Sequence, residues 1–186
     1  RVSEWADKKR RLSSESSAEP GMWHTSRAEY QRGMMDAFNE PNIEMVTLMT
    51  SSKVGKTEIV NNIIVFFIEH DPSPMLLIMP TLEMGMAWSK DRFAPMLRDT
   101  PSLRGRVTDA KAKDSGNTIL HKTFPGGHIA VAGANSPASL ASRPLRIVIL
   151  DEADRFPTSA GTEGDQVKIG TKRTQTFWNK KIFHTS

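Results

Sequence analysis

The sequence contains no cysteine. Disulfides and thiolate metal sites are therefore excluded, and nothing argues for an oxidising compartment. It also lacks a long hydrophobic run. The longest apolar stretch without a charge, Ile59 to Ile68, holds Asn61 and Asn62 and falls short of the roughly 20 residues a membrane span requires. The opening "RVSEWADKKRRLSSESSAEPG" is polar and has no apolar core of a secretory signal, so a cytoplasmic location is expected. No internal repeat is visible, and the one biased tract is the serine-rich 13–17. The five histidines (24, 70, 121, 128 and 184) show no metal-ligand spacing and read as structural or surface residues. A net charge of +4 permits a nucleic-acid partner without demanding one.

What is present suits one soluble domain: 186 residues, 38% hydrophobic and 25% charged. Residues 1–22 read as a peripheral segment, in which "SEWADKKRRL" has helical spacing and "SSESSAEPG" breaks it. "TSRAEYQRGMMDAFNEP" predicts a helix capped by Thr25 or Ser26 and closed by Pro41. A buried strand is expected at 43–49, a loop at 50–55 and a helix from Lys56 to about His70. A second strand at 75–79 leads into a helix over 81–97 capped by Thr81. The Met-rich "GMMDAF" and "EMGMAW" read as core. "TILHKTFPGGHIAVAG" predicts a hairpin, Ile147–Leu150 the most apolar strand, 164–177 a basic helix and 180–186 a last strand. The strands are continuous apolar runs rather than alternating ones. Such strands are buried on both faces, as in a mostly parallel α/β sheet flanked by helices.

Two motifs carry chemistry. "MTSSKVGKTEIV" (49–60) ends like a phosphate-binding P-loop, but Thr50 stands where the pattern G-x-x-x-x-G-K-[ST] has its first glycine. In a strand–loop–helix setting, the backbone N–H groups of Ser51, Ser52, Lys53, Val54 and Gly55 would face phosphate oxygens. Lys56 would reach the β- and γ-phosphates, the Thr57 hydroxyl would ligate Mg2+, and Gly55 would allow close backbone approach. A helix start that happens to read "GKT" is the bland alternative. "IVILDEAD" decides between them: it sets Asp151 and Glu152 at the carboxyl end of a strand, 94 residues after Thr57. Asp151 is the candidate Mg2+ contact, through water, and Glu152 the candidate general base. Together the motifs predict a RecA-like P-loop (ASCE-type) NTPase acting on ATP with Mg2+. The Glu beside the Asp favours ATP-driven motors over small GTPases. No guanine-reading "NKxD" occurs, since "WNKK" (178–181) lacks the acid.

"PGMWHTSRAEYQRGMMDAF", "VGKTE", "DPSPMLLIMPT", "SLASRPLRIVILDEADRFP" and "GTEGDQVKIGTKRTQTFWNKKIFHTS" together resemble the large terminase subunit of tailed phages, specifically the lambda-like GpA family. The resemblance runs over nearly the whole chain. It implies a packaging ATPase at 23–186 that hydrolyses ATP to translocate double-stranded DNA into a procapsid in the host cytoplasm. The family's C-terminal nuclease is not matched. Expected partners are double-stranded DNA, the terminase small subunit, the portal protein and further copies of the chain in a ring, with no membrane. The resemblance implies that Lys53 is the basic residue of a deviant Walker A loop. It also implies that Tyr30 and Gln31 form an adenine motif, with Trp23 as a stacking partner. Tyr30 is equally readable as a core helix residue and Trp23 as a packing anchor. Thr185 and Ser186 would open a coupling motif. In "SLASRPLR" (139–146), which holds Arg143 and Arg146, Arg143 would stabilise developing phosphate charge in cis or across a ring interface, or touch DNA, against the plainer reading of a solvated loop arginine. Lys168, Lys172, Arg173, Lys180, Lys181 and "DKKRR" (7–11) are candidate DNA-backbone contacts, or simply solvated faces. The rival function is the first domain of a DEAD-type helicase, since "DEAD" is spelled at 151–154 and "PT" follows the second strand. A degenerate P-loop scaffold is the non-enzymatic alternative.

Overall fold

The computed structural model describes residues 1–107, 118–135, 144–157, 168 and 171–186. The chain opens on α1 (Val2–Lys9), whose Val2, Trp5 and Ala6 recur at helical spacing and are all buried. Trp5 meets Phe66 edge-on, and its indole N–H donates to Glu69 Oε2 at 2.7 Å. A short antiparallel ribbon follows, β1 (Arg11–Leu12) with β2 (Gly21–Met22). The start of the chain is thus not peripheral as expected: α1 belongs to the main hydrophobic core. The sequence signal is the Val2–Trp5–Ala6 face, which the neighbouring basic run masks.

A single 3-10 turn (Thr25–Ala28) leads into α2 (Tyr30–Ala37). Neither Thr25 nor Ser26 caps that helix. Thr25 is buried, its N–H donating to Asp7 Oδ1 (2.6 Å) and its hydroxyl accepting from Trp23 Nε1 (3.0 Å). The helix α3 (Lys56–His70) explains the apolar run that is too short for a membrane. All ten residues from Ile59 to Ile68 are buried, as expected of a helix with core on every side. Its two buried asparagines are served unequally, and among the described residues Asn62 Oδ1 has no hydrogen-bond partner. Asn61 Oδ1 accepts from Trp88 Nε1 (2.9 Å), and Asn62 Nδ2 approaches Met35 Sδ (3.4 Å). Among the described residues no helix is long and apolar enough to cross a membrane.

The main sheet has six strands: β3 (Met45–Leu48), β4 (Pro74–Met79), β5 (His121–Phe124), β6 (Gly127–Gly133), β7 (Ile147–Leu150) and β8 (Lys181–Thr185). Their order is β3-β8-β7-β4-β6-β5. Every pairing is parallel except the β5–β6 hairpin. The strands β4 and β7 are buried nearly throughout, as their unbroken apolar runs predict. β3 differs from that expectation. It lies at the sheet edge, with Met45 and Thr47 exposed and Met49 just beyond it 82% exposed. The carboxyl ends of the parallel strands share one edge, where open α/β sheets bind ligands. β8 separates β3 from β7 there.

The expected helix over 81–97 begins as predicted, with the Met84 N–H donating to Thr81 Oγ1 at 3.2 Å. It is not continuous. After α4 (Leu82–Trp88) comes a π-helical turn (Ser89–Phe93), then α5 (Ala94–Asp99). Pro95 has no N–H for the carbonyl four residues back, so a regular α-helix through it would leave that group unpaired. Of the expected basic helix over 164–177, residues 164–167, 169 and 170 lie outside the described residues; 168, 171 and 172 are helical and 173–176 form a turn.

Because α1 is core, Trp5→Ala should cost about 3 kcal/mol or more. That lowers Tm by roughly 6–12 °C in a domain of this size. A thermal melt showing less than about 2 °C would mean that α1 does not carry core packing.

Candidate functional site

The loop after β3 is set by two left-handed residues, Lys53 (φ 63°) and Gly55 (φ 84°). Such turns gather successive N–H groups into an anion-binding concavity. Gly55 is the N-cap of α3 and contributes no side-chain cap, so the first N–H groups of α3 lack one. The Lys56 ammonium bends back to donate to the carbonyls of Thr50 and Ser51, at 3.2 Å each. Those are neutral acceptors, weaker competitors for an ammonium than phosphate oxygens.

The second half of the loop is clamped. The Tyr30 hydroxyl and Gln31 Nε2 both donate to the Val54 carbonyl, each at 2.9 Å. Tyr30 is therefore not a core helix residue; it is 55% exposed and holds the loop from outside. Gln31 is buried, and among the described residues its Oε1 has no partner. A Cβ on Gly55 would sit 2.4 Å from Gln31 Nε2, so a side chain there is strained by φ and would push the Gln31 amide off the Val54 carbonyl. Gln31, Lys53, Gly55 and Trp23 line a cavity of about 750 Å³, one wall of which is the chain from Leu12 to His24. Tyr30 is not among its lining residues. Trp23 is buried and tied to Thr25, which agrees with its packing reading and still leaves it facing this cavity.

β7 delivers Asp151 and Glu152 to the same sheet edge. Asp151 is buried. Thr185, at the end of β8, donates its hydroxyl to Asp151 Oδ1 (2.7 Å) and accepts from the Glu152 N–H (3.1 Å). Burial pushes the Asp151 carboxyl above the usual carboxylate range; Glu152 adds to this, while the Thr185 bond and the Lys56 charge oppose it. Glu152 itself adopts a left-handed conformation (φ 53°), an uncommon one for a non-glycine residue. Its Oε2 accepts from Arg155 Nη1 at 2.8 Å. Thr57, Asp151 and Glu152 line a second cavity, of about 270 Å³. A hydroxyl and a buried carboxylate at one cavity are hard oxygen donors of the kind Mg2+ takes.

Several expected residues fall elsewhere. Arg143 lies outside the described residues. Arg146 precedes β7, at the opposite end of that strand from Asp151. There it is held by Asp71 (2.5 Å), Ser73 (2.7 Å) and the Asn179 carbonyl (3.3 Å), and so braces the fold. The basic faces are also partly taken up. Lys181 is buried and donates to the Glu40 and Ile43 carbonyls, each at 2.5 Å; burial lowers its pKa. Lys180 pairs with Glu44 at 3.3 Å, Lys9 with Glu69 at 2.6 Å, and buried Arg10 with Glu58 at 2.9 Å. Thr185, expected only as the start of a coupling motif, proves to be the residue that joins both acids. Its signal is its place at the end of a strand beside the acidic one.

A glycine-turned loop between strand and helix, facing acids on a parallel strand two places away, defines a P-loop nucleoside triphosphatase fold. A family model described as "Phage terminase large subunit gpA, ATPase domain" matches residues 17–186, and the chain belongs to that family. The terminase large subunit of Enterobacteria phage P21 is 29% identical over 181 residues, covering 96% of this chain and 28% of that protein. The chain thus spans under a third of the length of this relative. Among solved structures, the HK97 bacteriophage large terminase superposes with a TM-score of 0.76 at 15% identity, over 100% of this chain and 37% of that one. The large terminase of a thermophilic bacteriophage, in complex with ATP-gamma-S, gives 0.56 at 17% identity, over 83% and 36%. The helicase reading of "DEAD" is not favoured by these relationships.

Two stability measurements follow from the site. Gly55→Ala should lower Tm by roughly 4–12 °C, from about 2–3 kcal/mol of φ strain and displacement of Gln31. In the Gln31→Ala background the displacement term disappears and the loss should fall by about half; equal losses in both backgrounds would contradict the clamp. Asp151→Asn should raise Tm by a few degrees at neutral pH without Mg2+. The burial cost of the ionised carboxylate is complete above its raised folded-state pKa and absent below the ordinary carboxylate value, so the gain should fade as pH falls from the one to the other. A lower Tm at pH 7 would show that burial is not the dominant influence on Asp151.

Proposed function

We propose that this chain is the ATP-hydrolysing motor domain of a phage DNA-packaging terminase. The observation that carries the reading is the Thr57–Asp151–Glu152 cavity, with both acids held by one hydroxyl and with Lys56 and the turned loop beside it. Adenine would enter the larger cavity, where the unpartnered Gln31 Oε1 is suited to accept from the base's exocyclic amine. Tyr30 acts on the base only through Val54 in this reading, by fixing the loop. The loop N–H groups from Ser51 to Gly55 and the Lys56 ammonium hold the phosphates, with the ammonium exchanging its carbonyl partners for phosphate oxygens. The Thr57 hydroxyl and Asp151 would hold Mg2+, which when bound neutralises phosphate charge. Glu152 takes a proton from the attacking water as the water oxygen bonds to the γ-phosphorus and the bond to the β–γ bridging oxygen breaks, giving ADP and phosphate. Arg155 bonds Oε2, so Oε1 is the oxygen that takes the proton in this reading.

Packaging extends the same reading. Double-stranded DNA is the translocated substrate, and the small subunit, portal and further copies in a ring are the partners, within the host cytoplasm. Arg143 stabilises phosphate charge in cis or across the ring. Nuclease chemistry is not expected from residues 23–186.

The test is enzymatic. Lys56→Ala should abolish ATP binding in an equilibrium titration. Glu152→Gln should bind ATP normally and lose about 10²–10⁴-fold in kcat. Hydrolysis at the unaltered rate by Glu152→Gln would remove Glu152 from the role of base.

A further inference from the structure

The π-helical turn Ser89–Phe93 is pinned at both ends. Trp88 and Phe93 stack with ring centroids 4.8 Å apart, both are buried, and the Trp88 indole donates to Asn61 of α3. Next to Phe93, the Arg92 side chain is 45% exposed. It lines both cavities, the one with Thr57, Asp151 and Glu152 and the one with Gln31, Lys53 and Gly55. Among the described residues lining the smaller cavity it is the one cation, set against the carboxylates of Asp91, Asp151 and Glu152. Three acids there would repel a triphosphate unless positive charge is brought in.

Arg92 is also loosely held. Its Nη1 stands 3.5 Å from Glu58 Oε1, which already accepts from Asn61 Nδ2 at 3.2 Å. The other Glu58 oxygen is taken by Arg10 at 2.9 Å. Glu58 therefore keeps a buried cationic partner when Arg92 leaves. An exposed pair at such a distance contributes little, so the guanidinium is free to exchange Glu58 for a stronger anion. π-turns recur at functional sites because they re-aim a side chain without breaking the helix.

We propose that Arg92 is a terminal-phosphate ligand supplied in cis: it leaves Glu58 and donates to γ-phosphate oxygens of the bound nucleotide. The proposal rests on the ATP reading above. It makes Arg92 the residue that tells a triphosphate from a diphosphate, because it lines the cavity of Thr57, Asp151 and Glu152 where the ATP reading puts the γ-phosphate.

The test is equilibrium titration of the 186-residue chain with a non-hydrolysable ATP analogue (AMP-PNP) and with ADP, both with Mg2+. Arg92→Ala should weaken the ATP analogue about tenfold or more and ADP less than about threefold, with Tm changed by under about 4 °C. Arg92→Lys, which keeps the charge and loses the fork, should recover part of the loss. If Arg92→Ala lowers Tm further than that, Arg92→Gln is judged by the same criterion. Equal weakening of both nucleotides, or unchanged binding of the ATP analogue, overturns the proposal while the ATP reading stands. Lys56→Ala, which should lose both nucleotides, separates the cases. Failure of the unaltered chain to bind either nucleotide overturns both.

Discussion

The Thr185 hydroxyl holds the acidic half of the site together. It donates to the Asp151 carboxylate and accepts from the Glu152 N–H, so one side chain fixes two acids from the neighbouring strand. This is available only because β8 lies between β3 and β7. Were the loop strand and the acidic strand adjacent, no third strand end would project between them. The parallel register then sets the depth of the contact, with Leu150 opposite His184 and Leu48 opposite Thr185. Sheet order, register and acid geometry are in this sense a single constraint.

A second set of contacts ties the chain's opening to the phosphate loop. Buried Arg10 pairs with Glu58, one residue beyond Thr57, and the stretch from Leu12 to His24 walls the larger cavity. Burial lowers the Arg10 pKa and the Glu58 charge opposes that, the mark of a cation kept in the interior by its partner. The N-terminal residues therefore shape the cavity proposed for the base, and that proposed site is not a property of the P-loop core alone.

Much of this is legible in the sequence. Continuous apolar runs announce the parallel strands, Thr81 announces its helix start, and "GKT" with "LDE" announces two loops that converge. What stays hidden has physical causes. The core face of α1 is three residues wide and lies beside a charge run, so its periodicity reads as peripheral. The edge position of β3 cannot be seen in a strand's own composition, because Met45 and Met49 look as apolar exposed as buried. The basic residues near 180 look like one face until folding places Lys181 under the Glu40 and Ile43 carbonyls. The π-turn is hidden because Pro95 alone does not say whether a helix stops, kinks or widens. Arg92 and Thr185 owe their positions to long-range topology, which local spacing does not encode.

The Val54 carbonyl has two lone pairs, and Tyr30 and Gln31 use both. That saturation divides the loop into two regimes of sequence tolerance. At Val54–Gly55 the backbone is anchored and space is absent, so drift there is closed off. From Ser51 to Lys53 the residues are exposed and face no such clamp. The side chains of Ser51 and Ser52 can thus change at little cost, while Lys53 is held to its left-handed turn and the rear of the loop is fixed. The threonine that stands in place of a first glycine marks where that freedom begins.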